Sequence, residues 1–240
     1  MDITSYLLGK KAGGGGSTGL DWSAIGYSGT PQSIIDGYNY AVEIMNNWDD
    51  TAAMDYKFMR DYNLVFMPLV DITKANNLSN MFQYCSNLIG VANLDYSKAI
   101  YLDYMFHNCN GLKEITNFNV TGRIQNTFMS CIELETIQGN MKPVSLRNTF
   151  NGCTNLKNIP YIDCSACGSK YDFQGSFQNC PNLTDTSLDN ILQSIISATS
   201  YPGTKTLAYA GFNSTDYPSS RIQALPHYQN FIDAGWAIGY

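Results

Sequence analysis

The feature that most constrains this chain is a short motif, Phe-x-x-Cys-x-x-Leu, written five times. It runs through Phe82, Cys85 and Leu88; Phe106, Cys109 and Leu112; Phe128, Cys131 and Leu134; Phe150, Cys153 and Leu156; and Phe177, Cys180 and Leu183. The cysteines step by 24, 22, 22 and 27 residues. A unit that short cannot bury its own apolar residues, so neighbouring units must stack and bury them together. The core of such an array is a set of ladders in which each Phe, Leu and Ile meets its counterpart one unit away.

After each motif Leu the apolar residues continue at intervals of three, as in Leu88, Val91 and Leu94, or Leu112, Ile115 and Phe118. Asx-x-Ser/Thr groups follow at Asp71 to Thr73, Asp95 to Ser97, Asn119 to Thr121 and Asp163 to Ser165, where a short polar side chain suits a turn. Each coil is therefore expected to hold an extended segment near Leu-x-x-Ile, an Asx turn, and a helical or 3₁₀ turn carrying the Phe. Residues 63–70 provide the extended half of a unit without a preceding Phe-x-x-Cys, and read as an atypical opening coil.

The expected fold class is an α/β repeat solenoid of about five to six coils, capped by an N-terminal helix and a small C-terminal α+β cap. Its segments are 1–19, an anchor peptide with a Gly-rich linker; 20–62, a helical cap; 63–185, the repeats; and 186–240, the closing cap. Four successive glycines at 13–16 have too much backbone entropy for helix or strand, and no Gly-Lys-Ser/Thr follows to make a phosphate loop. Ile34, Ile35, Tyr38, Ala41, Val42 and Met45 form an apolar stripe behind Thr30-Pro31, which predicts a helix over about 31–48 covering the open end of the stack. Leu188, Ile191, Leu192 and Ile195 predict a second helix, stopped by Tyr201-Pro202-Gly203, with a shorter one near 219–225.

The 240 residues carry 14 basic and 20 acidic side chains, a net charge of −6, with no basic run to track phosphates, so a nucleic-acid partner is not expected. No apolar stretch reaches the roughly 18 to 20 residues of a membrane span. The first residues reverse the charge order of a signal peptide, so the ordinary secretory route is not expected.

Five of the seven cysteines, Cys85, Cys109, Cys131, Cys153 and Cys180, hold one position of successive units and read as a stacked ladder of buried free thiols. Cys164 and Cys167 form a lone CxxC without a second pair, so no metal site is assigned. His107 and His227 lie outside any metal-ligand or triad spacing, and no catalytic residue and no cofactor is expected. Asp95, Asp103 and Glu114 are the carboxylates a glycan hydrolase would draw on, but nothing in their spacing selects them. Among 17 tyrosines, Tyr84, Tyr96, Tyr101, Tyr104, Tyr161 and Tyr171 occupy variable positions of the array. They form the candidate ligand face, because aromatic rings bind sugars and proteins through rigid amphipathic area. The same tyrosines also suit half-buried flanking positions.

The unit Met/Thr-Phe-x-x-Cys-x-x-Leu-x-x-Ile is similar to the BspA-type leucine-rich repeat of bacterial surface proteins, over about residues 63–183. Met141-Lys142-Pro143 departs from it by lacking the Asx turn. The flanks, Tyr6-Leu7-Leu8-Gly9-Lys10-Lys11 before the glycines, Leu20 to Tyr27, and Ala234-Gly235-Trp236, resemble leucine-rich-repeat proteins encoded by phages and prophages of gut bacteria. The first resemblance implies adhesion or protein binding without catalysis; the second implies a virion fibre or decoration protein. On that reading Ile3, Tyr6, Leu7, Leu8, Lys10 and Lys11 dock on other virion proteins, the repeats meet a bacterial surface protein or glycan, and the chain forms a homo-oligomer located in the virion. The alternative is an adhesin on the bacterial cell surface.

Overall fold

A peptide chain that stacks on itself must send half of its backbone hydrogen bonds to the next coil and keep the rest. The computed structural model describes residues 54–67 and 71–239, together with 36, 39–41 and 43–45, and shows how the Phe turn achieves this. Two positions per turn have positive φ. Two residues before the Phe stand Tyr56, Asn80, Tyr104, Asn126, Asn148 and Gly175; two residues after it stand Arg60, Tyr84, Asn108, Ser130, Gly152 and Asn179. With left-handed residues interleaved, successive N–H groups point alternately out of and into the coil. Asn80, Phe82 and Tyr84 donate to the carbonyls of Asp103, Met105 and His107 one coil on, at 2.9, 2.9 and 2.8 Å. Met81, Gln83 and Cys85 close back on Leu78, Asn80 and Phe82.

The expected helical or 3₁₀ turn is therefore corrected. A helix directs every N–H along its own axis and leaves none for the neighbouring coil. The alternation serves both needs, although a non-glycine residue in the left-handed region costs about 1–2 kcal/mol.

The stacking brings the rings of Phe58, Phe82, Phe106, Phe128, Phe150 and Phe177 face to face, with centroid spacings of 5.7, 5.2, 5.4, 5.8 and 5.6 Å. Leu64, Leu88, Leu112, Leu134, Leu156 and Leu183 form a parallel buried row. The extended segments lie where Leu-x-x-Ile put them. β1 (Phe66–Met67) pairs in parallel with β2 (Gly90–Val91), and β3 (Glu114–Ile115) with β4 (Thr136–Ile137). Isolated parallel bridges Asn77–Tyr101–Arg123 and Val120–Met141–Ile162 mark further ladders around the coil. The fold of the described residues is thus a stacked repeat fold with very short strands.

Three Asx turns form as expected: the Asp71, Asp95 and Asp163 carboxylates accept the N–H of Thr73, Ser97 and Ser165 at 2.9 Å each. Hydrogen bonds from Ser165, with Lys142 adding, draw the Asp163 pKa down to about 2. Asn119 instead accepts the N–H of Asn140 in the next coil at 2.8 Å. The Met141-Lys142-Pro143 stretch keeps its place despite lacking an Asx turn, because Met141 bridges both neighbours and Lys142 N–H reaches the Val120 carbonyl at 2.8 Å.

The repeat geometry begins earlier than residue 63. Residues 54–61 make the same turn, with Phe58 N–H on the Met81 carbonyl at 2.9 Å, and Asp61 standing where later units have Cys. Asp61 accepts a 2.6 Å hydrogen bond from the Tyr40 hydroxyl. Residues 36, 39–41 and 43–45 are helical, and Ala41, Ile44 and Met45 join the core. The rest of the expected 31–48 helix, the linker and residues 1–19 lie outside the described residues.

At the other end, helix α1 (Asp185–Ile196) begins on Thr184, whose hydroxyl accepts Ser187 N–H. Its buried side presents Leu188, Ile191, Leu192 and Ile195. The hydroxyls of Ser187, Ser194 and Ser197 accept the N–H groups of Ile159, Ile162 and Cys164 at 3.0, 2.8 and 2.7 Å. Side chains of a helix region thereby satisfy donors that earlier coils give to the next coil's backbone. Helices α2 (Ser219–Gln223) and α3 (Tyr228–Asp233) follow. The Phe turn itself continues one step further: Gly175 and Phe177 donate to Tyr209 and Ala210, and the Phe212 ring lies 5.5 Å from Phe177.

Replacing Phe128 by Ala removes a ring that touches Phe106, Phe118 and Phe150. Urea unfolding is expected to show a loss of about 3–5 kcal/mol. A loss under about 1 kcal/mol would mean that the ring ladder is not what holds the coils.

Candidate functional site

The cysteine ladder has a geometry that a small hydrophobe does not need. Each thiol points at the backbone carbonyl of the preceding unit's Phe: Cys85 to Phe58, Cys109 to Phe82, Cys131 to Phe106, Cys153 to Phe128 and Cys180 to Phe150, at 2.9 to 3.0 Å. The Phe82, Phe106, Phe128 and Phe150 carbonyls also accept the N–H of the Cys in their own turn at 3.0 Å. One buried carbonyl therefore has both lone pairs used, one within the coil and one between coils. Burial pushes the Cys85, Cys131 and Cys180 thiols up to about 12, and Cys109 and Cys153 well above their usual range. All seven cysteines, Cys164 and Cys167 included, are buried and free. Protonated thiols serving as donors are poor nucleophiles and poor metal ligands.

The six candidate tyrosines separate. Tyr96 is 1% exposed and packs edge-on against Phe118 at 5.1 Å, so it is a core residue. Its assignment to a ligand face is corrected: the apolar surroundings that admit the ring leave its hydroxyl without a hydrogen-bond partner among the described residues. Tyr84 and Tyr104 both pack against His107, with ring centroids 5.3 and 5.6 Å from the imidazole. Tyr101 and Tyr171 are exposed and lie under cations, Arg123 at 5.5 Å and Arg147 and Lys170 at 5.7 and 4.9 Å. Tyr161 is exposed beside the Met141–Ile162 bridge, on a different edge of the coil. The docking residues Ile3, Tyr6, Leu7, Leu8, Lys10 and Lys11 lie outside the described residues.

Two residues missed in the sequence complete the aromatic patch. His107 has Gln83 Nε2 at 2.9 Å from Nδ1 and Asn108 Nδ2 at 2.8 Å from Nε2, and burial lowers its pKa. Arg60 lies over the Tyr84 ring at 5.4 Å. A signal was present: Arg60 stands two residues after Phe58, just as Tyr84 does after Phe82, but without a Cys at residue 61 the unit is hard to see.

The remaining polar candidates are engaged locally. Asp95 closes its Asx turn, while Asp103 accepts the N–H of Gln125 at 3.0 Å and pairs with Arg123. Burial pushes the Asp103 carboxyl up while the Arg123 guanidinium pulls it down. His227 bonds Asp189 at 2.7 Å. Among the described residues no group of three or more His, Cys, Asp or Glu is arranged to hold a metal ion, and no helix is long and apolar enough to cross a membrane.

The Tyr96→Phe protein is expected to be more stable by about 1 kcal/mol, since it removes an unsatisfied buried hydroxyl; a lower melting temperature would show that the hydroxyl has a partner. The thiols are expected to resist iodoacetamide at pH 8 in the native protein and to react fully in denaturant. Mass spectrometry showing rapid native labelling would contradict the ladder.

No family model matches the sequence, and no curated protein matches it. Among solved structures, the crystal structure of a leucine-rich repeat protein from T. pallidum is similar with 20% sequence identity and a TM-score of 0.31, over 54% of this chain and 59% of that one. The chain spans about three fifths of the length of that protein.

Proposed function

We propose that this chain is a non-enzymatic binding protein, and that its repeats form a capped solenoid whose turn face meets a bacterial surface protein or glycan. One observation carries the reading. The left-handed positions of the Phe turn are filled by Asn, Ser or Gly in the later units, residues that tolerate or suit the turn. In the first three turns four of the six are filled by Tyr56, Arg60, Tyr84 and Tyr104, at φ of 61, 61, 64 and 59°, and the other two by Asn80 and Asn108. Bulky residues in that conformation cost stability, and such strain concentrates where a surface is put to use. The result is an aromatic and cationic patch around His107, mounted on backbone that is hydrogen-bonded to both neighbours. Little side-chain freedom is lost when such a patch meets a partner.

In its finer form the proposal is a structural protein of a phage virion, a head or tail fibre or decoration subunit, docked by its first residues and present in many copies that multiply weak contacts. The support is the resemblance of the flanking segments. The second reading, a bacterial cell-surface adhesin, rests on the repeat unit alone.

Quantitative mass spectrometry of purified particles is expected to find this chain in a fixed whole-number ratio to the major capsid protein. Absence from particles, with the chain on the bacterial surface, would favour the adhesin. A Tyr84→Ser, Tyr104→Ser chain is expected to lose at least tenfold in host-cell binding with its fold intact; unchanged binding would remove the patch from the proposal.

A further inference from the structure

We propose that the cleft between the last Phe turn and the segment that stacks on it holds an acidic sugar, a hexuronic acid residue of a glycan. This rests on the surface-binding reading above and gives it a second, separate site with a defined ligand class.

The cleft has a volume of about 500 Å³, within the roughly 300–1,000 Å³ of small-molecule sites. Its lining is unusual for such a site in being rich in carboxamides: Asn148, Gln174, Gln178, Asn179 and Asn213, the last already engaged with Thr215 and Asp216. Asn148 Nδ2 is used on Asn126 and Gln178 Oε1 on Asn151, at 3.2 and 3.3 Å. The Asn148 Oδ1, the Gln178 Nε2 and both ends of Gln174 and Asn179 have no hydrogen bond among the described residues. A carboxamide offers one acceptor and a pair of donor hydrogens side by side, which matches the adjacent hydroxyls of a sugar ring.

Charge narrows the ligand further. Arg147 is the one charged side chain in the lining, it is exposed, and it forms no ion pair with a described carboxylate. Its planar guanidinium suits a carboxylate through two parallel hydrogen bonds. No Asp or Glu lines the cleft, and the Asp216 carboxylate beside it is engaged by the Asn213 amide at 2.7 Å. Tyr209 adds a ring whose hydroxyl is fixed on the Lys170 carbonyl at 3.0 Å. The wall is held in place by close backbone contact: Gly211 has φ of +99°, and a Cβ there would lie 2.5 Å from the Gln178 nitrogen.

The test is titration of the full chain with methyl glucuronide, methyl glucoside, sodium acetate and inorganic phosphate, followed by calorimetry and by NMR of the side-chain amides. Methyl glucuronide is expected to shift the carboxamide signals saturably, with methyl glucoside about tenfold weaker and acetate not saturating. Arg147→Gln is expected to bring the glucuronide down to the glucoside level at an unchanged melting temperature, and Gln174→Ala to weaken both sugars. No saturable shift with any sugar, equal affinity for the two sugars, or saturation by acetate or phosphate alone would overturn the assignment. Glucuronide binding by a chain that does not attach to host cells would keep this site and remove the surface-binding reading; attachment unchanged in a chain without sugar binding would do the reverse.

Discussion

The rest of the structure depends on the direction of successive N–H groups in the Phe turn. Left-handed residues two before and two after the Phe send every second donor to the neighbouring coil. The Phe58, Phe82, Phe106, Phe128 and Phe150 rings follow because their own N–H groups are among those donors. A ladder of rings about 5.2 to 5.8 Å apart is what results when side chains on hydrogen-bonded neighbours have one available direction.

The thiols are tied to the same device. The Phe82, Phe106, Phe128 and Phe150 carbonyls are satisfied only half by the Cys N–H of their own turn, and the next unit's Sγ–H supplies the other half. A small, weakly polar donor fits where a hydroxyl would need a second partner and a methyl would leave the carbonyl short. Burial that excludes water also keeps the thiol protonated, so the chemistry usually associated with cysteine is suppressed by the role the residue plays here.

Because the backbone of the turn is fixed by both neighbours, its outward side chains are free to vary. They vary with position along the stack: Tyr and Arg appear beside Asn in the first turns, and Asn, Ser and Gly alone in the later ones. The same scaffold thus presents an aromatic patch around His107 at one end and a carboxamide-lined cleft beside Arg147 at the other.

The sequence by itself determined the register of this protein: the period, the buried Leu row, the Phe stack, the burial of the cysteines and the Asx turns at Asp71, Asp95 and Asp163. These are properties of a unit repeated against itself, so one unit predicts its neighbours. The unit at residues 54–61 was hidden because Asp61 replaces the cysteine that marks the others, although Phe58 completes the ladder. Only the tertiary structure decided which way groups point. The thiol donors reach carbonyls 25 to 30 residues away, a relation absent from any one motif. Tyr96 and Tyr101 both occupy variable positions, yet Phe118 of the next coil encloses one while the other stays exposed. Burial of a variable residue is set by what the adjacent coil places beside it, and that is a property of the stack.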